Sequence, residues 1–544
     1  MKFRSSISQA FMVLALSDAT LGLPVVDLLT SVHQGSLEGN GTFYGFNNVP
    51  YAEPPLGELR FRVPIPKISI NRTVNDGSTT RICPQASGAW FGLSVPFLFE
   101  TLTGQPPPSG PAPPSGPDPR ESEDCLYLNV KSPRKVFDNN LSNLPVLVWI
   151  HGGGFTMGYK DQFDPTGLMA QGMSNGKNGF VYVGINYRLG LFGFPPKGPS
   201  FRDWDVATNA GLYDQRLALL WVQKNIHKFG GNPNQVTVMG ESAGGSSIAA
   251  QLTAFYGIDG EAPFNRAVIQ SPAIRPATDA TVYAGVYQQF SSAAGVSSMD
   301  QARDLTTTQL QSLNSAIVAN SSFGHFTFGP NVDGLFFPDE LVRSLSSRRV
   351  DSSVDVIVAY NLNEGLLFTD PRVTDNTGFK NYFAGLMPSI PASKINQLAT
   401  TVYPEDFSGA QPYTTQIQRL VLAVAESLIH CNAFATDLGY NNQTRSYKFS
   451  VWPGVHSADT SYTFYNGQPV DNFGFPINAT IAQHFQKWWV DYTTLGEGSG
   501  SSITEIPIYT SQAKILNITD TGNFVVRDPA AGARCRFWID GLYN

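Results

Sequence analysis

Short, uninterrupted apolar runs alternate with segments of helical spacing through the middle of the chain. Residues 145–150 (PVLVWI) and 180–185 (FVYVGI) carry no charge and read as strands buried on both faces. Over residues 212–229, Leu217, Leu220, Trp221 and Ile226 line one side of a helix, which Gly230-Gly231-Asn232-Pro233 stops. Residues 235–239 (QVTVM) make the next strand, followed by a helical run at 246–252. Further strands are expected at 266–270, 354–360 and 446–451. Continuous apolar strands between amphipathic helices predict an α/β protein: one large, mostly parallel sheet flanked by helices, in a single domain.

Two stretches break the pattern. Between Cys83 and Cys125 an aromatic segment (Trp90, Phe91, Phe97, Phe99) gives way to a Pro/Ser/Gly-rich run at residues 105–119. That composition disfavours a helix and predicts an extended, mobile loop. At the N-terminus, Lys2 and Arg4 precede the apolar run 10–16, with small residues at Ser17, Ala19 and Gly22. Residues 1–22 therefore read as a cleaved signal peptide, leaving 23–544 as the working chain. The run is too short to span a bilayer of about 30 Å. No other apolar run approaches 20 residues and the C-terminus has no hydrophobic tail, so no transmembrane or lipid anchor is expected.

Composition narrows the function. The chain is 42% hydrophobic and 15% charged, which fits a large packed core and not a disordered one. A formal charge of -7 with no basic block argues against a nucleic-acid partner. Four cysteines (Cys83, Cys125, Cys431, Cys535) suit an oxidising compartment and allow three pairings. Asn-x-Ser/Thr sequons at Asn40, Asn71, Asn140, Asn320, Asn442, Asn478 and Asn517 make glycosylated, exposed positions and export the simplest expectation.

The chemistry-bearing motif is Gly240-Glu241-Ser242-Ala243-Gly244, placed between a strand and a helix. There a sharp turn presents the serine, and the glycines let neighbouring backbone approach. A serine hydroxyl needs a base, and the base needs an orienting acid. In strand–turn–helix hydrolases these follow in the order serine, acid, histidine, each beyond a strand. His430 and His484 lie in helical runs and His325 follows Ser242 closely, whereas His456 sits among turn residues after a strand. His456 is the expected base, with His325 second. Glu364, just past the strand at 354–360, is the expected acid, ahead of Asp333 in a turn and Asp355 at a strand start. His151-Gly152-Gly153-Gly154 follows the strand at 145–150 and offers bare N–H groups to an oxyanion, with Ala243 as a third donor. In a comparable site, losing one side-chain donor costs roughly 3–4 kcal/mol in the barrier. The run lacks the Lys-Ser/Thr ending of a phosphate loop.

These residues resemble the type B carboxylesterase/lipase family, which includes cholinesterases and fungal lipases. The likeness spans nearly the whole chain. It is carried by PPLGELRF at 54–61, SEDCLYLN at 122–129, the three glycines, YRLGLFG at 187–193, GGNP at 230–233 and GESAGG at 240–245. It implies the α/β-hydrolase fold, a Ser242–Glu364–His456 triad, and Gly153, Gly154 and Ala243 as oxyanion donors. It also implies the pairs Cys83–Cys125 and Cys431–Cys535. The first pair encloses the loop that in lipase relatives forms a lid. Trp90 lies closer to the first cysteine than the choline-binding aromatic of cholinesterases, so no choline site is carried over.

The expected activity is hydrolysis of apolar carboxylic esters, small-molecule or lipid, through an acyl-enzyme, with no metal or organic cofactor. A lid-bearing triacylglycerol lipase is the alternative within the class. A non-catalytic, cholinesterase-like binding protein is the alternative outside it, disfavoured because all three triad positions hold competent residues. The aromatic segment at 90–99 fits either an apolar substrate or core packing.

Overall fold

The computed structural model describes residues 22–107, 118–200, 203–258, 260–276 and 280–543. The signal-peptide expectation, except for Gly22, and most of the Pro-rich run fall outside them. The described strands are β1 (Val25–Asp27), β2 (Ser31–Gln34), β3 (Ser36–Glu38), β4 (Phe43–Pro50), β5 (Asn71–Asn75), β6 (Tyr127–Pro133) and β7 (Leu144–Ile150). They continue with β8 (Val181–Ile185), β9 (Gly231–Glu241), β10 (Arg266–Gln270), β11 (Asp355–Asn361), β12 (Arg445–Phe449), β13 (Lys514–Thr519) and β14 (Gly522–Arg527).

Strands β1, β2 and β5 make a small sheet, and the other eleven form one large sheet in the order β14-β13-β12-β11-β10-β9-β7-β8-β6-β4-β3. From β8 to β13 every neighbouring pair is parallel, while β6, β4, β3 and β14 are antiparallel margins. The centre is apolar on both faces: Val146, Val148, Trp149 and Ile150 of β7 and all of β8 are buried. A parallel strand is covered by crossover helices on either side, which is why these runs lack polar alternation.

Helices Ala210–Asn225, Ala243–Thr253 and Ala479–Leu495 are among those packed on this sheet. One helix among the described residues, Gln416–Gly439, is long and apolar enough to cross a membrane, but 83% of its apolar window is buried inside the protein. Disulfides join Cys83 to Cys125 and Cys431 to Cys535. The aromatic segment after Cys83 is a helix, Phe91–Thr103, ended by Gly104 at φ 68°. β9 begins at Gly231, so GGNP belongs to the strand and only Gly230, at φ 84°, ends the preceding helix. β12 stops at Phe449 instead of Val451, lengthening the loop that follows.

Candidate active site

β9 is a central strand whose end pairs with both neighbours, Gly240 opposite Ile150 of β7 and Ile269 of β10. There the chain turns straight into the helix Ala243–Thr253, with Ser242 at φ 59°, ψ −123°. Such backbone angles cost a residue with a side chain of order 1–3 kcal/mol and persist only where the surroundings fix them. Here the Ser242 N–H donates to the Gln270 carbonyl (3.0 Å), and the Ser242 carbonyl accepts from Ala273 N–H (3.2 Å). The flanking glycines are required by contact: a Cβ on Gly244 would lie 2.1 Å from the Ile150 carbonyl oxygen, and one on Gly240 2.8 Å from it.

Ser242 Oγ lies 2.8 Å from His456 Nε2, and His456 Nδ1 lies 2.5 Å from Glu364 Oε2. His456 and Glu364 stand on the loops after β12 and β11. Those loops are tied together where Asn363 N–H donates to the Gly454 carbonyl (2.7 Å) and Asn363 Nδ2 to the Pro453 carbonyl (2.7 Å). The second oxygen of Glu364 accepts from Ser271 Oγ and from the Asn361 N–H, both at 2.6 Å. All three triad side chains are buried.

A fourth group joins them. Glu241, inside the serine motif, places Oε1 3.3 Å from His456 Nε2 and accepts a hydrogen bond from Ser457 Oγ (2.6 Å). Burial raises the Glu241 carboxyl to about 7, against the pull of His456 and Ser457. For His456 burial opposes the charge, but Glu241 and Glu364 outweigh it and raise the imidazole to about 9. Glu364 is likewise penalised by burial yet held below its ordinary value by His456, Ser271 and Asn361. The three groups titrate as one cluster, and its common effect is to favour an imidazolium between two carboxylates. That is the charge state a serine's proton would create.

The glycine turn lies beside the serine: a Cβ on Gly152 would meet Ser242 Cβ at 3.0 Å. Gly153 (φ 106°) and Gly154 (φ 60°) adopt left-handed backbone that ordinary side chains resist. The N–H groups of Gly153, Gly154 and Ala243 have no acceptor among the described residues. The turn is braced from behind by Tyr187, whose hydroxyl donates to the His151 carbonyl (2.9 Å) and whose ring stacks on His151 at 4.4 Å. It is also clipped to the start of the Cys83–Cys125 segment, where Ala86 N–H donates to the Thr156 carbonyl (2.9 Å).

Ser242 and Gly154 open onto a cavity of about 70 Å³ walled by Phe155, Ile274, Phe326, Phe328, Phe368 and Leu428. Trp90 does not line it. Buried, Trp90 stacks on Phe91 (4.0 Å), meets Phe326 edge-on (5.5 Å) and donates to the His325 carbonyl (2.7 Å), so it backs the wall. Phe99 is buried on Phe475. For these two rings, core packing is the role the contacts give.

The remaining candidates lie elsewhere or play other parts. His325 lines the cavity, and burial together with Arg275 pushes its ring to about 3. His430 packs against the Asn361 carbonyl, His484 pairs with Glu505 at the surface, Asp333 bonds the backbone of its own turn, and Asp355 is exposed at the start of β11. Of the sequon asparagines, Asn40, Asn71, Asn140, Asn320 and Asn478 are exposed, while Asn442 and Asn517 are half-buried. Sequence reasoning missed Ser271, Asn361 and Arg275. It quoted Glu241 only as the variable position of the motif, where residue type carries no signal.

A model of the carboxylesterase family matches residues 27–538. The chain is 38% identical to "Carboxylesterase patB" of Penicillium expansum over 95% of each chain. It is 32% identical to "Secreted lipase 1" of Botryotinia fuckeliana (strain B05.10), over 88% of this chain and 86% of that protein. Among solved structures it resembles Aspergillus niger EstA with a TM-score of 0.75, 21% identity and coverage of 96% and 98% of the two chains.

Proposed function

Because the chain belongs to the carboxylesterase family and is a carboxylic ester hydrolase, we propose that it works through a Ser242 acyl-enzyme on small, apolar esters and is secreted. Ser242 Oγ attacks the ester carbonyl while His456 takes its proton, and Glu364 holds and balances the imidazolium. The N–H groups of Gly153, Gly154 and Ala243 receive the negative oxygen of the tetrahedral intermediate. The imidazolium returns its proton to the departing alcohol, and a water activated by His456 then releases the acid. The observation that carries this reading is the continuous chain Ser242–His456–Glu364, at 2.8 Å and 2.5 Å, opening onto the aromatic-walled cavity.

Cavity size supports a short chain. An apolar cavity of about 150 Å³ accepts benzene, and this one is about 70 Å³. A second reading, a lipase whose Cys83–Cys125 segment moves as a lid, is supported by the apolar helix Phe91–Thr103 in that segment, with Leu93 exposed. Values of kcat/KM for p-nitrophenyl esters from acetyl to palmitoyl separate the two. We expect a maximum at short chains, no rise at an oil–water interface, and loss of at least about 10⁴-fold in Ser242→Ala. A long-chain optimum with interfacial activation establishes the lipase, and an active Ser242→Ala protein removes Ser242 as nucleophile. Export is supported by the N-terminal composition, two disulfides and the exposed sequons. N-terminal sequencing of protein from the medium should begin near residue 23, with a mass that falls on deglycosylation.

A further inference from the structure

The cavity beside Ser242 carries a charge that ester hydrolysis does not use. Its wall is mostly apolar, with Ser242, His325 and Thr327 as its neutral polar residues and Arg275 as the one cation, and no acidic side chain lines it among the described residues. The guanidinium lies 6.0 Å from the Tyr283 ring centre, and no described acidic residue forms an ion pair with it. Its Nη2 is buried without a hydrogen-bond partner among the described residues. The other titratable group of the wall, His325, is neutral, since burial and Arg275 both oppose its charge.

A guanidinium cannot shed its proton, so this charge is permanent. In an apolar setting its attraction for an anion is far stronger than in water, and its planar fork matches a carboxylate. We propose that Arg275 selects among the small esters the site accepts by receiving a carboxylate carried on the ester, so that short hemiesters of dicarboxylic acids are preferred over wholly apolar esters of the same size. The inference rests on Ser242 as nucleophile in the same cavity. The chemistry is unchanged: the ester C–O bond breaks, water supplies a hydroxyl to the acyl carbon and a proton to the alcohol, and the second carboxylate only binds. The small cavity, about 70 Å³, favours a short spacer, and a succinate hemiester serves as the probe.

The test compares kcat/KM for monoethyl succinate and ethyl butanoate at neutral pH, by proton release, using the full-chain enzyme. The wild type is expected to favour the hemiester by at least about tenfold, since a site built to bond a polar group discriminates strongly against its absence. Arg275→Met should abolish the ratio, and Arg275→Lys, which keeps the charge without the fork, should retain part of it. A purely structural Arg275, packed on Tyr283, would slow both esters alike and leave the ratio intact, which overturns the proposal. So does a wild type that favours ethyl butanoate. Fluorophosphonate labelling separates the two layers. A protein that labels at Ser242 without hemiester preference overturns Arg275 alone, whereas one that neither labels nor turns over either ester overturns the nucleophile as well.

Discussion

A serine hydroxyl is made reactive by its neighbours, and around Ser242 these include two buried carboxylates, one beyond His456 and one beside it. Glu364 holds Nδ1 while Glu241 approaches Nε2, so both stabilise the protonated ring. The sign follows: a base whose proton is held more tightly stays disabled up to a higher pH, and activity rises only as that proton leaves. Removing the negative neighbour in Glu241→Gln weakens the hold. The acid limb of the kcat/KM profile for ethyl butanoate should therefore move to lower pH, with kcat reduced as the imidazolium loses support. A limb that stays in place would show that Glu241 does not share the cluster's proton. Glu364→Gln should cost about 10⁴-fold in kcat, as expected when the group orienting the histidine is lost. Chain order and strand ends were enough to point to Ser242, Glu364 and His456, because a triad in this geometry leaves few places for each. Ser271 and Asn361 left no such trace. They lie 93 and 3 residues from Glu364, and only the fold shows that both bond its carboxylate.

At the scale of elements, two quoted motifs meet through a buried ion pair. Arg60, from PPLGELRF, donates through Nε (2.8 Å) and Nη2 (2.7 Å) to the carboxylate of Glu123, from SEDC. Arg60 also caps the carbonyls of Arg303 (2.7 Å) and Leu305 (2.6 Å). Breaking one side leaves an unmatched buried charge, so Arg60→Met should lower unfolding free energy by about 3–5 kcal/mol in urea titrations. The double variant with Glu123→Leu should lose less than the sum of the two single variants. The six strands anticipated from the sequence are all parallel members of the sheet, buried on both faces. The margins escaped notice for the opposite reason. β14 exposes most of its residues, and β4 (FYGFNNVP) carries a glycine, two asparagines and a terminal proline where strand formers are expected. The helix Phe91–Thr103 holds Pro96 in its interior, which hid its periodicity.

Across the whole molecule, the site is assembled from segments far apart in the chain, and the crosslinks lie close to its supports. The Cys83–Cys125 bridge starts the segment that clips the glycine turn, and Cys431 lies three residues beyond Leu428 of the cavity wall. Closing 104 residues, Cys431–Cys535 removes unfolded-chain freedom worth nominally about 4.7 kcal/mol. The double variant Cys431→Ser/Cys535→Ser should accordingly lower the urea midpoint strongly. It should also raise KM for esters, because the helix bearing Leu428 loses its tether to the last helical turns of the fold, where Arg534 also pairs with Glu426 at 2.8 Å. A midpoint lowered with KM unchanged would confine the bridge to stability.

That same bridge sets a timetable for synthesis. Chains grow at roughly 5–20 residues per second, so Cys431 waits about 5–20 s for its partner to be made, long after Cys83 and Cys125 have both emerged. Throughout that interval the nascent protein already holds Ser242, Glu364 and, soon afterwards, His456, yet the helix forming one wall of their cavity lacks its covalent tether. The hydrolase is therefore completed from its tail, and translation stopped before Cys535 would leave a chain that holds Ser242, Glu364 and His456 beside a wall without its crosslink.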